Sequence, residues 1–276
     1  MRIASYNILA PELLIRFWRD SYHLPLLADN SQYDQVNFQR INNVVNVLRG
    51  LNLDVLCLQE ISTNNEPGIN MPFHYYIAQQ LGMTVAGESF KNSGFRYNYP
   101  PNEKQQKLSV DTGVCILTRA PYQLVNAFNA ESTGPSTLFG KNSSPFVTGE
   151  IVSPSDVIAL STVHIRIKDG HVLAAIQEYL AKNSGVDFAR GVIMGDFNSS
   201  VAPQDLAQTS LFTFIHPMPA TGDDQMFIGY DLNGRSFVTS EPLLRTNADT
   251  TQAVANWNLV QQAQATSDHP CLILDL

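Results

Sequence analysis

The sequence predicts an α/β fold in which two packed β-sheets are flanked by a few helices. Two observations support this prediction: short apolar runs mark many strands along the chain, and only three segments have the helical spacing of apolar residues. Hydrophobic residues make up 44% of the 276 residues, which is sufficient for a large core. No repeat, low-complexity tract or linker divides the chain, so we expect a single domain over residues 1–276.

The predicted elements begin with a strand, a helix and a second strand. Ile41, Val44 and Leu48 lie at helical spacing and indicate the first helix, and Gly82 is the expected stop signal of the second. Asn233-Gly234 predicts a hairpin between residues 226–232 and 236–240. The predicted strands are residues 2–9, 55–59, 113–118, 146–152, 157–165, 192–195 and 269–274, and the predicted helices are residues 38–51, 72–81 and 171–183.

The charge of the chain bears on the class of substrate. The formal net charge is -8 and the sequence pI is about 5.1, so the chain has no global positive field with which to bind duplex nucleic acid non-specifically. Bound cations would reverse the field locally, because a divalent ion is the largest charge in its site. A small or single-stranded substrate is therefore favoured over duplex DNA.

The cysteines and the apolar runs bear on the cellular compartment. Cys57, Cys115 and Cys271 each lie in an apolar run, and no C-x-x-C pair exists, so we expect buried thiols in a reducing compartment. No segment resembles a signal peptide or is long enough to cross a membrane. We expect a soluble, cytoplasmic monomer, with a removed signal peptide as the alternative.

Polar residues follow the apolar strands at the points where the strands end. Taken singly, each is a common turn former or a structural histidine. Together they supply hard oxygen ligands, a base that can orient water and donors for developing negative charge, as metal-assisted phosphoryl hydrolysis requires. No nucleophile elbow and no P-loop is present. The residues are Asn7, Glu60, His164, Asp196, Asn198, Asp268 and His269.

These residues belong to six motifs that occur in a fixed order: Tyr6-Asn7-Ile8-Leu9, Leu58-Gln59-Glu60, residues 112–119, Thr162-Val-His164, Gly195-Asp-Phe-Asn198 and Ser267-Asp-His269. The set resembles the motifs of the endonuclease/exonuclease/phosphatase superfamily and covers essentially the whole chain. The opening motif is most similar to the deadenylase and nocturnin-like branch. The resemblance implies a four-layer α/β sandwich with two mixed sheets, a Mg²⁺ or Mn²⁺ ion, and an active site in a cleft at one edge.

The resemblance also implies a role for each residue. Glu60 is the primary metal ligand, with Asn7 beside it on the metal or the phosphate. Asp196 orients and helps to deprotonate the attacking water, and Asn198 binds the phosphate. His269 contacts the scissile phosphate and stabilises charge in the transition state.

Three further positions carry implied roles. Asp268 lies close to the metal, and His164 contacts phosphate or acts as an acid or base. Asp224 is similar to an aspartate that opens a late strand and orients an active-site histidine, with the neighbouring Asp223 as the alternative.

Residues 85–110 form the candidate substrate-binding segment. They combine cations, Arg96 among them, with aromatic residues such as Tyr97, which suits phosphates and stacked bases of a single strand; a solvated loop is the alternative. Three functions therefore remain open. They are a nuclease or phosphodiesterase on RNA or single-stranded DNA, a phosphatase on a nucleotide, phosphoinositide or other small ester, and a catalytically silent binding module.

Overall fold

The computed structural model describes residues 1–10, 30–66, 68–98, 107–129, 144–155, 157–165, 190–198, 212–215, 224–231, 243–247, 266–267, 269 and 271–276, together with 172, 176 and 182. In these ranges the side chains of 30–33, 92–98, 107–110, 190, 212–215, 224–231 and 243–247 are outside the description.

The described elements with defined bounds are two helices and twelve strands. The helices are α1 (Asn30–Arg49) and α2 (Phe73–Leu81). The strands are β1 (Arg2–Asn7), β2 (Val55–Ser62), β3 (Thr84–Asn98), β4 (Lys107–Thr118), β5 (Gln123–Asn129), β6 (Phe146–Val152), β7 (Val157–His164), β8 (Arg190–Asp196), β9 (Phe212–Ile215), β10 (Asp224–Asp231), β11 (Leu243–Asn247) and β12 (Cys271–Asp275).

The strands form two sheets of six described strands each. The first sheet has the order β11-β12-β1-β2-β4-β3, and the second has the order β5-β6-β7-β8-β10-β9. In the first sheet β1 and β2 are parallel, and in the second β7 and β8 are parallel, whereas the other described pairs are antiparallel. Both sheets are therefore mixed, as predicted.

The alternation of side chains along β2 explains how the layers pack. Val55 and Cys57 face the second sheet, whereas Leu56 and Leu58 face the helices, because successive side chains of a strand point to opposite faces. All four are fully buried. Burial of each leucine side chain contributes about 1.5–3 kcal/mol, so both faces of the first sheet are tied into cores.

Helix α2 agrees with the sequence prediction, whereas α1 is longer at its start than predicted. Gly82 ends α2 in the left-handed region (φ 64°), and its N–H donates to the carbonyls of Ala78 and Gln79. Helix α1 begins at Asn30, eight residues before the predicted start. In the predicted helix 171–183, Val172, Ile176 and Lys182 are helical; its other residues lie outside the described ones.

The alternative of a solvated loop over residues 85–110 is wrong for most of the segment, because most of these residues belong to two long antiparallel strands. The structure places 84–98 in β3 and 107–118 in β4, although both segments contain polar residues of the kinds that favour turns. Cross-strand pairing outweighs those local preferences. Strand β5 was also not predicted. The prediction of a hairpin at Asn233-Gly234 falls outside the described residues.

Strands β3 and β4 extend beyond the first sheet as a two-stranded ribbon. The last residue of β2 pairs with β4 at Ser62 and Thr112, so 107–111 continue past β2 with 92–98 of β3 beside them. Five residues extend about 16 Å at 3.3 Å per residue. The ribbon leaves the sheet at the edge where β2 ends.

The prediction of buried thiols is confirmed: Cys57, Cys115 and Cys271 are buried, and none of the three is part of a disulfide. Burial raises the pKa of Cys57 to about 12, so its thiol stays protonated at neutral pH. Among the described helices, none combines the length and the apolar character that crossing a bilayer requires.

Candidate active site

The parallel strand pairs bring four predicted site residues to one edge of the sandwich. Asn7 ends β1 and Glu60 lies near the end of β2, whereas His164 ends β7 and Asp196 ends β8. Because the strands of a parallel pair run the same way, their carboxyl ends share an edge. The side chains of the two sheets meet there.

Asn7 connects the two sheets through its side-chain amide. Its Nδ2 donates to Glu60 Oε1 at 3.2 Å and to Asp196 Oδ2 at 2.9 Å, and its Oδ1 accepts from the N–H of Leu9 at 3.0 Å. The opposite orientation of the amide would place an oxygen against two carboxylates, so the network fixes which atom faces the site. In this geometry Asn7 holds the two carboxylates through hydrogen bonds, and its predicted role as a metal ligand stays a prediction.

Asp196 has contacts at both of its carboxylate oxygens. Its Oδ1 accepts from the N–H of Asn198 at 2.8 Å, and its Oδ2 lies 3.5 Å from Nε2 of His164 and 3.9 Å from Nε2 of His269. Its exposed fraction is only 2%, whereas the two imidazoles are partly exposed. The Asp196 carboxylate is therefore held by hydrogen bonds inside the protein, and the partly exposed imidazoles of His164 and His269 lie on its solvent-facing side.

The backbone departs from regular strand geometry beside both carboxylates. Glu60 adopts a left-handed φ of 57°, at an irregularity in the pairing of β2 with β4 between Gln59 and Ile61. Gly195 has φ 144°, and a Cβ there would collide with the carbonyl oxygen of Val163. Such conformations cost free energy and persist only where surrounding contacts hold them, which is common at functional sites.

The segment before β12 places His269 against these residues. Ser267 Oγ donates to the carbonyl oxygen of Asn7 at 2.6 Å and accepts from the N–H of His269 at 3.3 Å. Ser267 is fully buried, so this link between segments 260 residues apart is shielded from water. The serine therefore sets the position of the histidine relative to β1.

Three ligand atoms of the site are close enough to hold one metal ion. Atoms of Glu60, Asp196 and His269 lie within 4.8 Å of one another. Two carboxylates and an imidazole fit a divalent cation, with carboxylate oxygens suiting Mg²⁺ and Mn²⁺ and the imidazole tolerated by Mn²⁺. The carboxylates lie in a largely buried site, where a cation offsets their mutual repulsion. The donor set therefore fits the predicted ion.

The remaining predicted residues are described in part. Asp224 opens β10 and pairs in register with Asp196, so its backbone lies beside the site. Arg96 and Tyr97 belong to β3 beyond the edge of the sheet, and their side chains are outside the description. Asp268 and Asp223 fall outside the described residues.

Sequence reasoning missed Arg40 and the peptide donors after β1. Arg40 lies in the apolar stripe of α1 between Val36 and Val44, each four residues away, and it is fully buried. A charged residue inside an apolar stripe is the signal that could have identified it. The N–H of Ala10 donates to Glu60 Oε2 at 3.1 Å, a contact that no side-chain motif reveals.

Comparisons with known proteins give structural matches. No protein-family model and no curated protein sequence matches this chain. The human nocturnin catalytic domain with bound sulfate is similar, with a TM-score of 0.59, 15% identity, and coverage of 100% of this chain and 92% of that one. ANGEL2, described as a 2′,3′-cyclic phosphatase, has a TM-score of 0.57, 15% identity, and coverage of 99% and 93%.

A bacterial structure agrees with these two. An endonuclease/exonuclease/phosphatase from Bacteroides vulgatus has a TM-score of 0.55, 14% identity, and coverage of 100% of this chain and 98% of that one. Together with the two mixed sheets, these matches show that the chain has the endonuclease/exonuclease/phosphatase fold.

Proposed function

We propose that this chain is a divalent-metal-dependent phosphoesterase that hydrolyses a phosphodiester by attack of water. The observation that supports the proposal best is that ligand atoms of Glu60, Asp196 and His269 lie within 4.8 Å of one another at one edge of the sandwich, so that the proposed metal ligand, base and phosphate donor surround one point. Bound Mg²⁺ or Mn²⁺ supplies charge neutralisation at the phosphate oxygens. Glu60 is the proposed primary ligand, with Asp268 nearby.

Asp196 is the proposed base that orients the attacking water and accepts its proton. Oδ1 accepts from the N–H of Asn198 and Oδ2 from Nδ2 of Asn7, and Oδ2 is the oxygen that also lies on the side of His164 and His269. A base must lie within hydrogen-bond reach of the proton it removes, and a fixed carboxylate at the open edge meets this requirement. The proposed position of the attacking water is therefore beside Oδ2.

The imidazoles and the Asn198 amide are the proposed donors to the phosphate. Nε2 of His164 and Nε2 of His269 both approach Asp196, so they border the place where the reacting phosphate would lie. Asn198 Nδ2 donates to the carbonyl of Ile165 at 2.9 Å, and its second N–H is the proposed donor to a phosphate oxygen. Donors fixed before reaction stabilise the charge that develops in the transition state. Asp224 is the proposed partner of one imidazole.

RNA or single-stranded DNA is the proposed substrate. The ribbon of β3 and β4 leaves the sheet at the edge that carries Glu60, which places the backbone of Arg96 and Tyr97 on that side of the molecule. Cations and aromatic rings beside a phosphoesterase site suit a single strand. The net charge of -8 disfavours non-specific binding of a duplex.

A phosphatase on a small ester is the second candidate. Its support is the similarity to ANGEL2, described as a 2′,3′-cyclic phosphatase. A silent binding module is disfavoured, because such a protein has no need for a ligand cluster of this composition.

A hydrolysis screen tests the proposal. Wild type and Asp196→Asn are incubated with Mg²⁺ or Mn²⁺ and with poly(A) RNA, single-stranded DNA, abasic duplex DNA, nucleotides or phosphoinositides. Metal-dependent release of nucleotides that the variant lacks supports the nuclease. Phosphate release from a small ester alone supports the phosphatase, and no hydrolysis of any substrate contradicts both.

The role of the ribbon has its own test. Replacing Arg96 and Tyr97 together by alanine is expected to raise KM for a single strand about tenfold or more, since each lost base stack costs ~1–3 kcal/mol. The matched control is Arg49→Ala, which removes an exposed arginine at the end of α1. Unchanged cleavage kinetics in the double variant would exclude the ribbon from substrate binding.

A further inference from the structure

Arg40 is a buried cation whose position in the fold requires an explanation. It lies on α1 with Val36 and Val44 one turn to either side, and its side chain is fully buried. A buried guanidinium is unfavourable unless hydrogen bonds replace its water. Its partners therefore indicate why the fold keeps a charge there.

The first two partners are the peptide groups that follow β1. Nη1 of Arg40 donates to the carbonyl oxygen of Ile8 at 2.5 Å, and Nη2 donates to that of Leu9 at 2.6 Å. These carbonyls belong to consecutive peptide groups, so the planar guanidinium holds both at once. A single ammonium does not have this two-pronged geometry.

The same two peptide groups donate their N–H groups to the site. The peptide of Ile8 and Leu9 donates the N–H of Leu9 to Asn7 Oδ1 at 3.0 Å. The peptide of Leu9 and Ala10 donates the N–H of Ala10 to Glu60 Oε2 at 3.1 Å. In each peptide group the oxygen accepts a hydrogen bond from Arg40 and the N–H donates one to a site side chain. Two hydrogen bonds joined through one peptide group polarise it and strengthen each other.

The conformation of Leu9 makes this arrangement possible. Leu9 has a left-handed φ of 55°, which a residue with a Cβ adopts only where other contacts hold it. Successive N–H groups around such a residue can converge on one anionic region. The hydrogen bonds from Arg40 to the two carbonyls are contacts of the required kind.

A third hydrogen bond connects Arg40 to the segment that carries His269. Nη1 also donates to the carbonyl of Thr266 at 2.8 Å. The next residue, Ser267, links the backbone of Asn7 to the backbone of His269. One guanidinium thus holds the two chain segments that position the proposed metal ligand Glu60 and the proposed phosphate donor His269.

We propose that Arg40 is a positioning residue of the metal centre, which fixes and polarises the peptide donors to Glu60 and Asn7 and sets the distance of His269 from them. This proposal rests on the proposed function, because Arg40 is assigned an effect on the binding of the cation that Glu60 is proposed to hold. Arg40 itself contacts no phosphate in this role. A residue needed only for the fold would change stability without changing the metal affinity of the folded protein.

Metal binding without substrate separates these roles. Mn²⁺ is titrated by calorimetry into wild type, Arg40→Lys, Arg40→Met and the control Arg119→Met, each shown to be folded by circular dichroism. Arg119 also donates to a backbone carbonyl, that of Leu53, but near the opposite ends of β2 and β4. Both Arg40 variants are expected to bind Mn²⁺ about 10–100-fold more weakly, the scale of losing a group that orients a ligand, whereas the control matches wild type.

Measuring kcat and KM at saturating Mn²⁺ provides a second test of the role of Arg40. The Arg40 variants are expected to lose kcat with KM within about threefold of wild type, because the ligand and donor geometry is disturbed and the substrate contacts are not. Mn²⁺ affinity within twofold of wild type in a folded Arg40 variant would overturn the proposal. Loss of the folded state in both variants would overturn it too, since Arg40 would then serve the fold. A wild type that binds no Mn²⁺ would instead contradict the proposed function.

Discussion

The first and second sheets can be compared strand by strand. Each has a parallel pair near its middle, β1 with β2 and β7 with β8, and antiparallel strands on both sides among those described. Candidate site residues lie at the carboxyl end of that pair in both sheets: Asn7 and Glu60 in the first, His164 and Asp196 in the second. The same topological position therefore presents candidate site residues twice, from opposite sides of the inter-sheet core.

The two sheets differ in the groups that surround their carboxylates. Both carboxylates accept from Asn7 Nδ2 and from one backbone N–H, that of Ala10 for Glu60 and that of Asn198 for Asp196. Asp196 of the second sheet has His164 and His269 near its Oδ2. An amide N–H only donates, whereas an imidazole nitrogen can either donate or accept a proton.

This difference assigns different work to the two sheets. We propose that the first sheet holds the cation and that the second sheet handles the proton of the attacking water. Asn7 donates to both carboxylates and so couples the two halves. Substitutions in each sheet test whether metal binding and proton transfer can be disrupted independently.

The largest expected effect is in the second sheet. Asp196→Asn should leave the fold intact and lower kcat by at least about a hundredfold, the usual scale for losing a general base. Turnover is measured at saturating metal, with Asp54→Asn as a control at the opposite end of the first sheet, where Asp54 accepts the N–H of Arg2. Near-normal turnover of Asp196→Asn would contradict the division.

His269→Ala should follow closely. We expect kcat to fall by about a hundredfold, because a donor to the transition state is lost. The measurement is turnover at saturating metal and substrate. A variant with wild-type kcat would remove His269 from the mechanism.

In the first sheet, Glu60→Gln should act through the metal. Replacing a carboxylate ligand by an amide is expected to weaken Mn²⁺ binding about tenfold or more, and added Mn²⁺ should restore part of the turnover. The measurement is the Mn²⁺ dependence of kcat beside a direct titration. An effect that no concentration of Mn²⁺ relieves would show that Glu60 does more than hold the ion.

A backbone substitution tests the strain in the second sheet. Gly195→Ala places a Cβ against the carbonyl of Val163 at φ 144° and should lower the free energy of unfolding by at least about 2 kcal/mol. Gly50→Ala is the control, because its nearest contact would be an ordinary 3.5 Å. Unfolding in denaturant compares them, and equal midpoints would mean that the sheet relaxes around the new methyl.

The smallest expected effect concerns the outer side of the first sheet. Glu88 lies 3.0 Å from Nε2 of His74, whose hydrogen bond lowers the pKa of Glu88 below its ordinary value of 4.5. A lowered carboxylate pKa contributes stability that is present above the unfolded value and is lost as pH falls through the folded one. The stability difference between wild type and Glu88→Gln should therefore shrink below pH 4.5, and a constant difference would contradict this.

Much of the fold follows from local sequence patterns, but the ribbon does not. Residues 146–152 are predicted to the residue, and Gly82 marks the end of α2, because apolar spacing and a left-handed stop are local signals. Strand β3 is polar and contains Gly94, so its pairing with β4 depends on a distant partner. Local preference cannot report such a partner.

The candidate site shows the same limit. Strand-end motifs identify Asn7, Glu60, His164, Asp196 and His269, and the structure brings these five together. The backbone donors of Leu9 and Ala10 have no side-chain signature, because any residue except proline carries an N–H. Their role appears only when the chain is folded.

The pairing of β1 with β12 has a consequence for the order in which the protein is made. The second sheet uses one continuous stretch, residues 123–231, whereas the first joins strands from both ends of the chain, and Ser267 bonds to Asn7 across 260 residues. A ribosome delivers the chain from its N-terminus, and contacts at long separation form slowly. Asn7 and Glu60 therefore leave the ribosome long before His269, and the proposed phosphoesterase groups come together only after β12 has emerged.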